Sequence, residues 1–164
     1  MRGIIFAAIL FITAQFSINT FAQEISVEII DEEKLAQLIN ERNGRALFLN
    51  IWATWCIPCR EEFPDIVQLS EKYKGGPIDF YGISIDYPDE VASKIIPFLK
   101  LYHANFTNFV NGFKKDEMLI NLLDEKWSGA LPATFIFDKA GNKVSFLAGK
   151  KKYNLFEEEI KKVL

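Results

Sequence analysis

Cysteine and histidine are scarce in this chain of 164 residues, which contains only Cys56, Cys59 and His103. A structural zinc ion takes four ligands, mostly from these two residue types. Two further ligands would have to come from carboxylates or from a second chain, so a zinc site is disfavoured. A purely structural disulfide is disfavoured as well, because closing so short a loop stabilises a domain weakly. The scarcity therefore favours cysteines that react.

An excess of basic residues is also lacking, since 19 Lys and Arg stand against 22 Asp and Glu, for a formal net charge of -3. Proteins that neutralise nucleic-acid phosphates carry a basic patch or stripe. The nearest approach to one is the run Lys150–Lys152, which lies in a predicted turn and is best explained as a solvated loop. We therefore expect no nucleic-acid partner.

The N-terminus has the pattern of an export signal. Arg2 precedes the apolar run Ile4–Ile12, and a more polar segment then ends at Ala22, a small residue suited to cleavage. The apolar run is shorter than the roughly 20 residues of a membrane-spanning helix. We expect residues 1–22 to be a signal peptide and residues 23–164 to be one periplasmic or otherwise exported domain with no stable membrane span. An uncleaved signal that acts as an anchor remains an alternative.

Hydrophobic periodicity predicts alternating strands and helices. The nearly continuous apolar run 46–52 is typical of a central strand that is covered on both faces. An amphipathic helix is predicted over 57–73, with a kink at Pro64. Strands at 133–137 and 144–148 flank a loop rich in turn formers and predict a hairpin. This order predicts an α/β fold, with a mixed central sheet and helices on both of its faces.

Further helices are predicted from capping signals and from apolar spacing. Asp31 is expected to cap the first helix, and Asn154 to cap the last, with Glu157 reaching back three residues later. Between these, one helix is predicted over about 90–103 and another over about 115–125, with a short strand between them.

The two cysteines lie where the predicted central strand meets the first turn of the next helix. A thiolate is the nucleophile of disulfide exchange, and a helix N-terminus stabilises negative charge. We therefore predict that Cys56, exposed at the helix start, attacks a disulfide, and that Cys59, one turn deeper, resolves the mixed disulfide. Pro58 is compatible with the helix because it falls in the first turn. Such a pair needs neither a metal ion nor an organic cofactor, and we expect none.

Two segments resemble the thioredoxin superfamily. Residues 52–64, Trp-Ala-Thr-Trp-Cys-Ile-Pro-Cys-Arg-Glu-Glu-Phe-Pro, are similar to the active-site segment of its exported TlpA-like and ResA-like branch. Residues 131–138, Leu-Pro-Ala-Thr-Phe-Ile-Phe-Asp, followed by Gly141, resemble the second signature of that branch. The resemblance covers nearly all of the expected mature chain. It implies a thioredoxin fold, a TlpA-like insertion at about 86–127 before the cis-proline strand, and thiol:disulfide oxidoreductase activity.

The resemblance also implies which residues contact the substrate. In this family the proline that matches Pro132 follows a cis peptide bond and lies against the cysteine pair, so Leu131 would offer its backbone to an extended peptide. The alternative is that Pro132 merely begins a strand. Trp52 and Trp55 are expected to form an apolar rim. The residues expected to bind substrate are Trp55, Ile57, Pro58, Leu131 and Pro132.

Glu62 is the candidate proton carrier. Thioredoxin has a buried Asp six residues before its first cysteine, whereas this chain has Asn50, which cannot take a proton. Glu62 lies three residues beyond Cys59 on the same helix face, where its carboxylate could exchange a proton with the deeper thiol, and ResA-like relatives have a Glu at this position. A solvated side chain, like that of Glu61, is the alternative.

We expect a monomeric reductase or isomerase that acts on protein thiols and disulfides and receives electrons from a membrane donor. A disulfide-forming oxidase is an alternative, but that type usually has a His between its cysteines, where this chain has Ile57 and Pro58. A copper metallochaperone is another, although the related Sco proteins space their cysteines by three residues and add a His ligand. His103, near a predicted helix end, is interpreted as structural. An inert binding module on the same fold also remains open.

Overall fold

The computed structural model describes residues 25–164, so the predicted signal peptide, residues 1–22, lies outside the described part. The strands are β1 (Val27–Ile30), β2 (Ala46–Trp52), β3 (Ile78–Ser84), β4 (Thr107–Asn111), β5 (Ala133–Phe137) and β6 (Lys143–Ala148). The α-helices are α1 (Glu32–Asn40), α2 (Ile57–Lys72), α3 (Ile96–Leu101), α4 (Asp116–Leu123) and α5 (Tyr153–Lys161). Among these helices, none combines the length and the apolar character that crossing a membrane requires.

The six strands form one mixed sheet in the order β1-β4-β3-β2-β5-β6. The first four strands of this order are mutually parallel, and β5 and β6 are antiparallel to their neighbours. The predicted mixed sheet with flanking helices is confirmed. The segment predicted as an insertion contributes β4, which lies inside the sheet between β1 and β3.

The central strand β2 is buried along its whole length. Its odd-numbered residues Leu47, Leu49 and Ile51 belong to one apolar cluster, whereas Ala46 and Phe48 belong to another. Successive side chains of a strand point to opposite faces of the sheet. The continuous apolar run is therefore explained by a core on each face, and β2 leads from this core directly to the cysteines.

The helix predicted over 90–103 is present, with helical backbone from Glu90 into α3, but only its last part is α-helical. A 3₁₀ turn at Pro88–Glu90 and a π turn at Val91–Ile95 precede α3, which begins only at Ile96. Pro97 has no backbone N–H, so it cannot donate the hydrogen bond that an α-helix interior requires, and it lies in the first turn of α3, where no such bond is needed. The proline therefore accounts for where the α-helix begins.

The two predicted caps have different outcomes. Asp31 caps α1 as predicted, since its carboxylate accepts the backbone N–H of Lys34 at 2.9 Å. The predicted cap at Asn154 is wrong, because α5 begins one residue earlier. The N–H of Tyr153 instead donates to Oδ2 of Asp65 on α2, at 3.1 Å. A carboxylate from another helix thus replaces the local cap.

Candidate active site

Cys56 and Cys59 lie in the connection from β2 to α2, with Cys56 as the N-cap of α2. The two cysteines form a disulfide with an S–S distance of 2.03 Å. The backbone N–H of Cys59 points at Sγ of Cys56, 3.2 Å away. Pro58 occupies the first turn of α2, as predicted. The geometry thus puts the sulfur of Cys56, rather than that of Cys59, at the positive end of the helix dipole.

The cysteine pair is more enclosed than the sequence predicts. Cys56 is 5% exposed and Cys59 is 1% exposed. The expectation of an exposed Cys56 is therefore wrong in degree, although Cys56 is the more accessible of the two cysteines, as expected. Trp55 and Ile57, on either side of Cys56, are 61% and 68% exposed. These two side chains form an apolar rim around a sulfur that is nearly covered.

Trp52 does not belong to this rim. Its side chain is fully buried, with ring centroids 4.6 Å from Phe98 and 5.0 Å from Phe63. Its indole N–H donates to Oδ1 of Asn108 at 3.1 Å. The prediction that Trp52 lines the rim is wrong because Trp52 is the last residue of β2, where its side chain enters the core cluster that contains both cysteines.

Glu62 is buried on α2, with 1% of its surface exposed. Its Oε1 accepts a hydrogen bond from the side-chain amide of Asn50 at 3.0 Å, and its Oε2 accepts the backbone N–H of Lys151 at 2.9 Å. Asn50 also donates to Oγ1 of Thr134 at 3.0 Å. The alternative of a solvated side chain is therefore wrong.

Burial raises the pKa of Glu62 from its ordinary value of 4.5 to about 7, because the charged form loses its hydration. The hydrogen bonds from Lys151 and Asn50 and the positive charge of Lys151 oppose this rise, and the charge of Asp65 adds to it. A carboxyl group with such a pKa can take up or release a proton near neutral pH. Glu62 follows Cys59 by three residues on α2, so the two side chains lie on the same side of the helix.

The second signature lies beside the cysteines. The Leu131–Pro132 peptide bond is cis, as the resemblance implies, and Leu131 packs against the cluster that contains Cys56 and Cys59. The carbonyl of Pro132 accepts the N–H of Gly149 at 2.8 Å. Within residues 25–164, no hydrogen bond reaches the backbone N–H or C=O of Leu131. The backbone of Leu131 is therefore free to pair with another chain.

Asp86 is a site residue that the sequence reasoning missed. It is 2% exposed, and its two oxygens accept the backbone N–H of Thr54 at 2.8 Å and the Thr54 hydroxyl at 2.6 Å. The Ser84 hydroxyl donates to it as well. These bonds fix the turn that presents Cys56. The available signal was an Asp just after a buried parallel strand, since ends of neighbouring parallel strands meet at one edge of the sheet.

Metal-binding side chains are not clustered within residues 25–164, where no three His, Cys, Asp or Glu residues lie close enough together to hold an ion. His103 is exposed just after α3, with a left-handed backbone at φ 53°. It lines a groove with Ile78, at the beginning of β3. Ile78 pairs with Ala46, the first residue of β2, whereas the cysteines follow the last residue of β2. The groove therefore lies at the opposite end of the strands from the cysteines.

Comparisons with known proteins agree with this geometry. The AhpC/TSA family model matches residues 18–144. The thiol-disulfide oxidoreductase ResA of Bacillus thuringiensis subsp. konkukian is 29% identical over 127 residues, covering 76% of this chain and 67% of that protein. ResA of Bacillus subtilis is 26% identical over 111 residues, covering 68% of this chain and 57% of that protein.

A solved structure supports the fold. A thiol:disulfide interchange protein of the thioredoxin family from Chlorobium tepidum superposes with a TM-score of 0.62 at 24% identity, covering 75% of this chain and 82% of that one. The family model spans most of the chain, and its match includes both cysteines and Leu131–Pro132. With the cysteine pair placed at the start of α2, these observations show that the chain belongs to the AhpC/TSA family of the thioredoxin superfamily, among its thiol:disulfide oxidoreductases.

Proposed function

We propose that this chain is an exported reductase or isomerase of protein disulfides, in which Cys56 attacks and Cys59 resolves. The observation that carries the proposal is the position of the Cys56 sulfur at the N-terminus of α2, where it accepts the N–H of Cys59. In the reduced protein the same N–H and the helix dipole stabilise a thiolate. Cys59 lies inside the first turn and is almost fully enclosed.

The exchange transfers two electrons from the cysteine pair to the substrate. The Cys56 thiolate attacks one sulfur of a substrate disulfide and forms a mixed disulfide, while the other substrate sulfur leaves as a thiolate. Cys59 then loses its proton and attacks the Cys56 sulfur. The Cys56–Cys59 disulfide forms, and the second substrate thiol is released.

Glu62 is proposed to accept the proton that Cys59 loses in the second step. Its carboxyl group is buried on the helix face of Cys59, and its pKa near 7 lies between those of an ordinary carboxyl and an ordinary thiol. Asn50 orients the carboxyl group through Oε1, and the Lys151 N–H does so through Oε2. Proton uptake at this position makes the Cys59 thiolate available near neutral pH.

The substrate is proposed to be an extended peptide that pairs with the free backbone of Leu131. The exposed rings and methyl groups of Trp55 and Ile57 would pack against its side chains. Pro58 is proposed to complete the surface, whereas Pro132 is buried and would act by holding Leu131 in place, with its own carbonyl bound to the N–H of Gly149. Leu131 packs against the cluster that contains Cys56, and the rim residues adjoin Cys56 in the chain, so a bound disulfide would lie close to Cys56.

The remaining features of the proposal come from the sequence. The chain is proposed to act outside the cytoplasm as a monomer, after cleavage that leaves Gln23 first, and to be reduced again by a membrane electron donor. The redox pair itself needs no bound cofactor. The absence of a His between the cysteines supports the reducing direction. N-terminal sequencing of the exported protein tests the cleavage site, and recovery of the intact chain would favour the anchored form.

The central test is Cys59→Ser, which leaves the attacking sulfur but removes the resolving one. Mixed disulfides with partner proteins should accumulate when this variant is expressed in its own compartment. Non-reducing gels should show adducts that disappear with reductant, and mass spectrometry should identify the partners. The matched control is the double variant Cys56→Ser and Cys59→Ser, which should give none. A folded Cys59→Ser variant without Cys56-dependent adducts would refute the assigned roles.

A further inference from the structure

The lysine run 150–152 lies at the edge of the active site, although the sequence alone suggested a solvated loop. The run follows Gly149, whose N–H donates to the carbonyl of Pro132 at 2.8 Å. The next contact along the chain is the N–H of Lys151, which donates to Glu62 on α2 at 2.9 Å. The loop is therefore held between the cis-proline and the helix that carries both cysteines.

Two of the three ammonium groups of this loop form no ion pair within residues 25–164, although the charge of Lys151 acts on Glu62 and that of Lys152 acts on Glu61. The ammonium group of Lys150 pairs with Glu61. That of Lys151 donates to the carbonyl of Ala148 at 2.6 Å, which leaves its charge unpaired. Lys152 is exposed, and within residues 25–164 its side chain has neither an ion pair nor a hydrogen bond.

One further cation lies on the helix itself. Arg60 follows Cys59 and is exposed, but it lies with Pro64 and Tyr102 on a different side of α2 from Glu62 and is not part of the same surface. The acidic groups nearby are otherwise engaged, since Glu62 is buried and Asp65 caps α5. We define Lys151 and Lys152 as the basic edge. It is a local positive surface on a chain whose net charge is -3.

We propose that the basic edge binds acidic side chains next to the disulfide of the substrate protein, and so selects substrates with Asp or Glu near their cysteines. The inference rests on the proposed function, because it concerns the peptide that Leu131 and Cys56 would hold. Exposed charges act over about 10 Å at ordinary salt concentrations and mainly accelerate association. The basic edge should therefore raise kcat/KM for acidic substrates and lose this effect in high salt.

The test uses the exported chain in its reduced form and three disulfide-containing peptides that differ only in the residues beside the cysteines, which are acidic, neutral or basic. Rates of peptide reduction are measured at low and at high ionic strength. We expect roughly fivefold faster reduction of the acidic peptide than of the neutral one at low salt, and nearly equal rates at high salt. Because each protein is compared across the three peptides, the ratio of rates cancels any change that a substitution makes in the reactivity of the protein's own thiols.

The variant Lys151→Gln with Lys152→Gln should reduce the acidic-to-neutral ratio to nearly one. The matched control is Lys114→Gln with Lys115→Gln, a pair of adjacent exposed lysines in the loop before α4, which should keep the wild-type ratio. The charge reversal Lys152→Glu should shift the preference toward the basic peptide.

Two failures are distinguishable. Two results would overturn only the proposed role of the basic edge. They are equal reduction of all three peptides by the wild-type protein, and an unchanged ratio in the variant Lys151→Gln with Lys152→Gln. No reduction of any peptide would instead contradict the proposed function.

Discussion

Two buried carboxylates flank the cysteine pair, and they differ in the number of donors that surround them. Asp86, on the side that precedes Cys56, accepts hydrogen bonds from the Thr54 backbone, the Thr54 hydroxyl and the Ser84 hydroxyl. Glu62, on the side that follows Cys59, accepts only two, from Asn50 and from the Lys151 backbone. Both residues are almost inaccessible to solvent. Burial alone therefore does not determine what a carboxylate at this site does.

The difference in donors suggests a difference in role. The donors around Asp86 bind the turn on which Cys56 is presented, so its main effect is on structure. Glu62 has fewer compensating contacts, and burial raises its pKa to about 7, which suits it to exchange protons. Each of the following substitutions tests one side of this comparison.

The largest expected effect belongs to Asp86→Ala. This change leaves the Thr54 N–H and two hydroxyl groups without their acceptor in a buried position, which should lower the free energy of unfolding by roughly 3 kcal/mol. Urea unfolding of the oxidised protein measures this. The control Asp89→Ala removes an exposed carboxylate from the neighbouring 3₁₀ turn and should cost about 0.5 kcal/mol or less. Similar losses of unfolding free energy in the two variants would show that the hydrogen bonds of Asp86 do not stabilise the turn before Cys56.

Glu62→Gln should change the pH dependence of stability. The folded pKa of about 7 lies above the ordinary 4.5, so the folded protein holds this proton more tightly than the unfolded chain does. The stabilisation from that proton is fully present below about pH 4.5 and is lost as the pH rises through about 7. The loss amounts to at most about 3 kcal/mol, from 1.36 kcal/mol for each unit of pKa difference.

The amide that replaces the carboxyl group in this variant cannot titrate, so the variant should gain stability relative to the wild type as the pH rises across this window. Urea unfolding of both proteins at several pH values is the measurement. The exposed neighbour Glu61→Gln serves as the control and should not reproduce the effect. Parallel stability curves for the Glu62 variant and the wild type would mean that the pKa of Glu62 is not raised.

A smaller effect is expected from Thr134→Val, which removes the second acceptor of the Asn50 amide while keeping the shape of the side chain. One N–H of Asn50 would then be buried without a partner, at a cost of about 1 kcal/mol. The matched control is Thr107→Val, at an exposed position of β4. If both variants unfold at the same urea concentration as the wild type, Thr134 does not support the Asn50–Glu62 contact.

Several elements follow from the sequence because their signals are local. The run 46–52 coincides with β2, and the strand predicted over 133–137 coincides with β5. Asp31 caps α1 through a residue only three positions away. In each case the residues that determine the structure are neighbours in the chain, or repeat with the period of the element.

The two tryptophans of the active-site motif show where such reasoning stops. Trp52 and Trp55 are three residues apart and were given the same role, yet Trp52 is fully buried and Trp55 is 61% exposed. Trp52 still belongs to β2, whose two faces are both covered, whereas Trp55 lies in the turn that leaves the sheet. Residue type and spacing do not contain this difference, because it depends on which other elements cover each position.

By itself, the sequence determined the reactive pair, its place between a buried strand and a helix, and the order of the main elements. These features depend on residue type and on local periodicity. Only the tertiary structure decided the environment of the pair. Glu62 meets Lys151 across 89 residues of sequence, and Thr54 meets Asp86 across 32. The physical reason is that burial and hydrogen-bond partners belong to the packed arrangement of distant segments, which no local stretch of sequence contains.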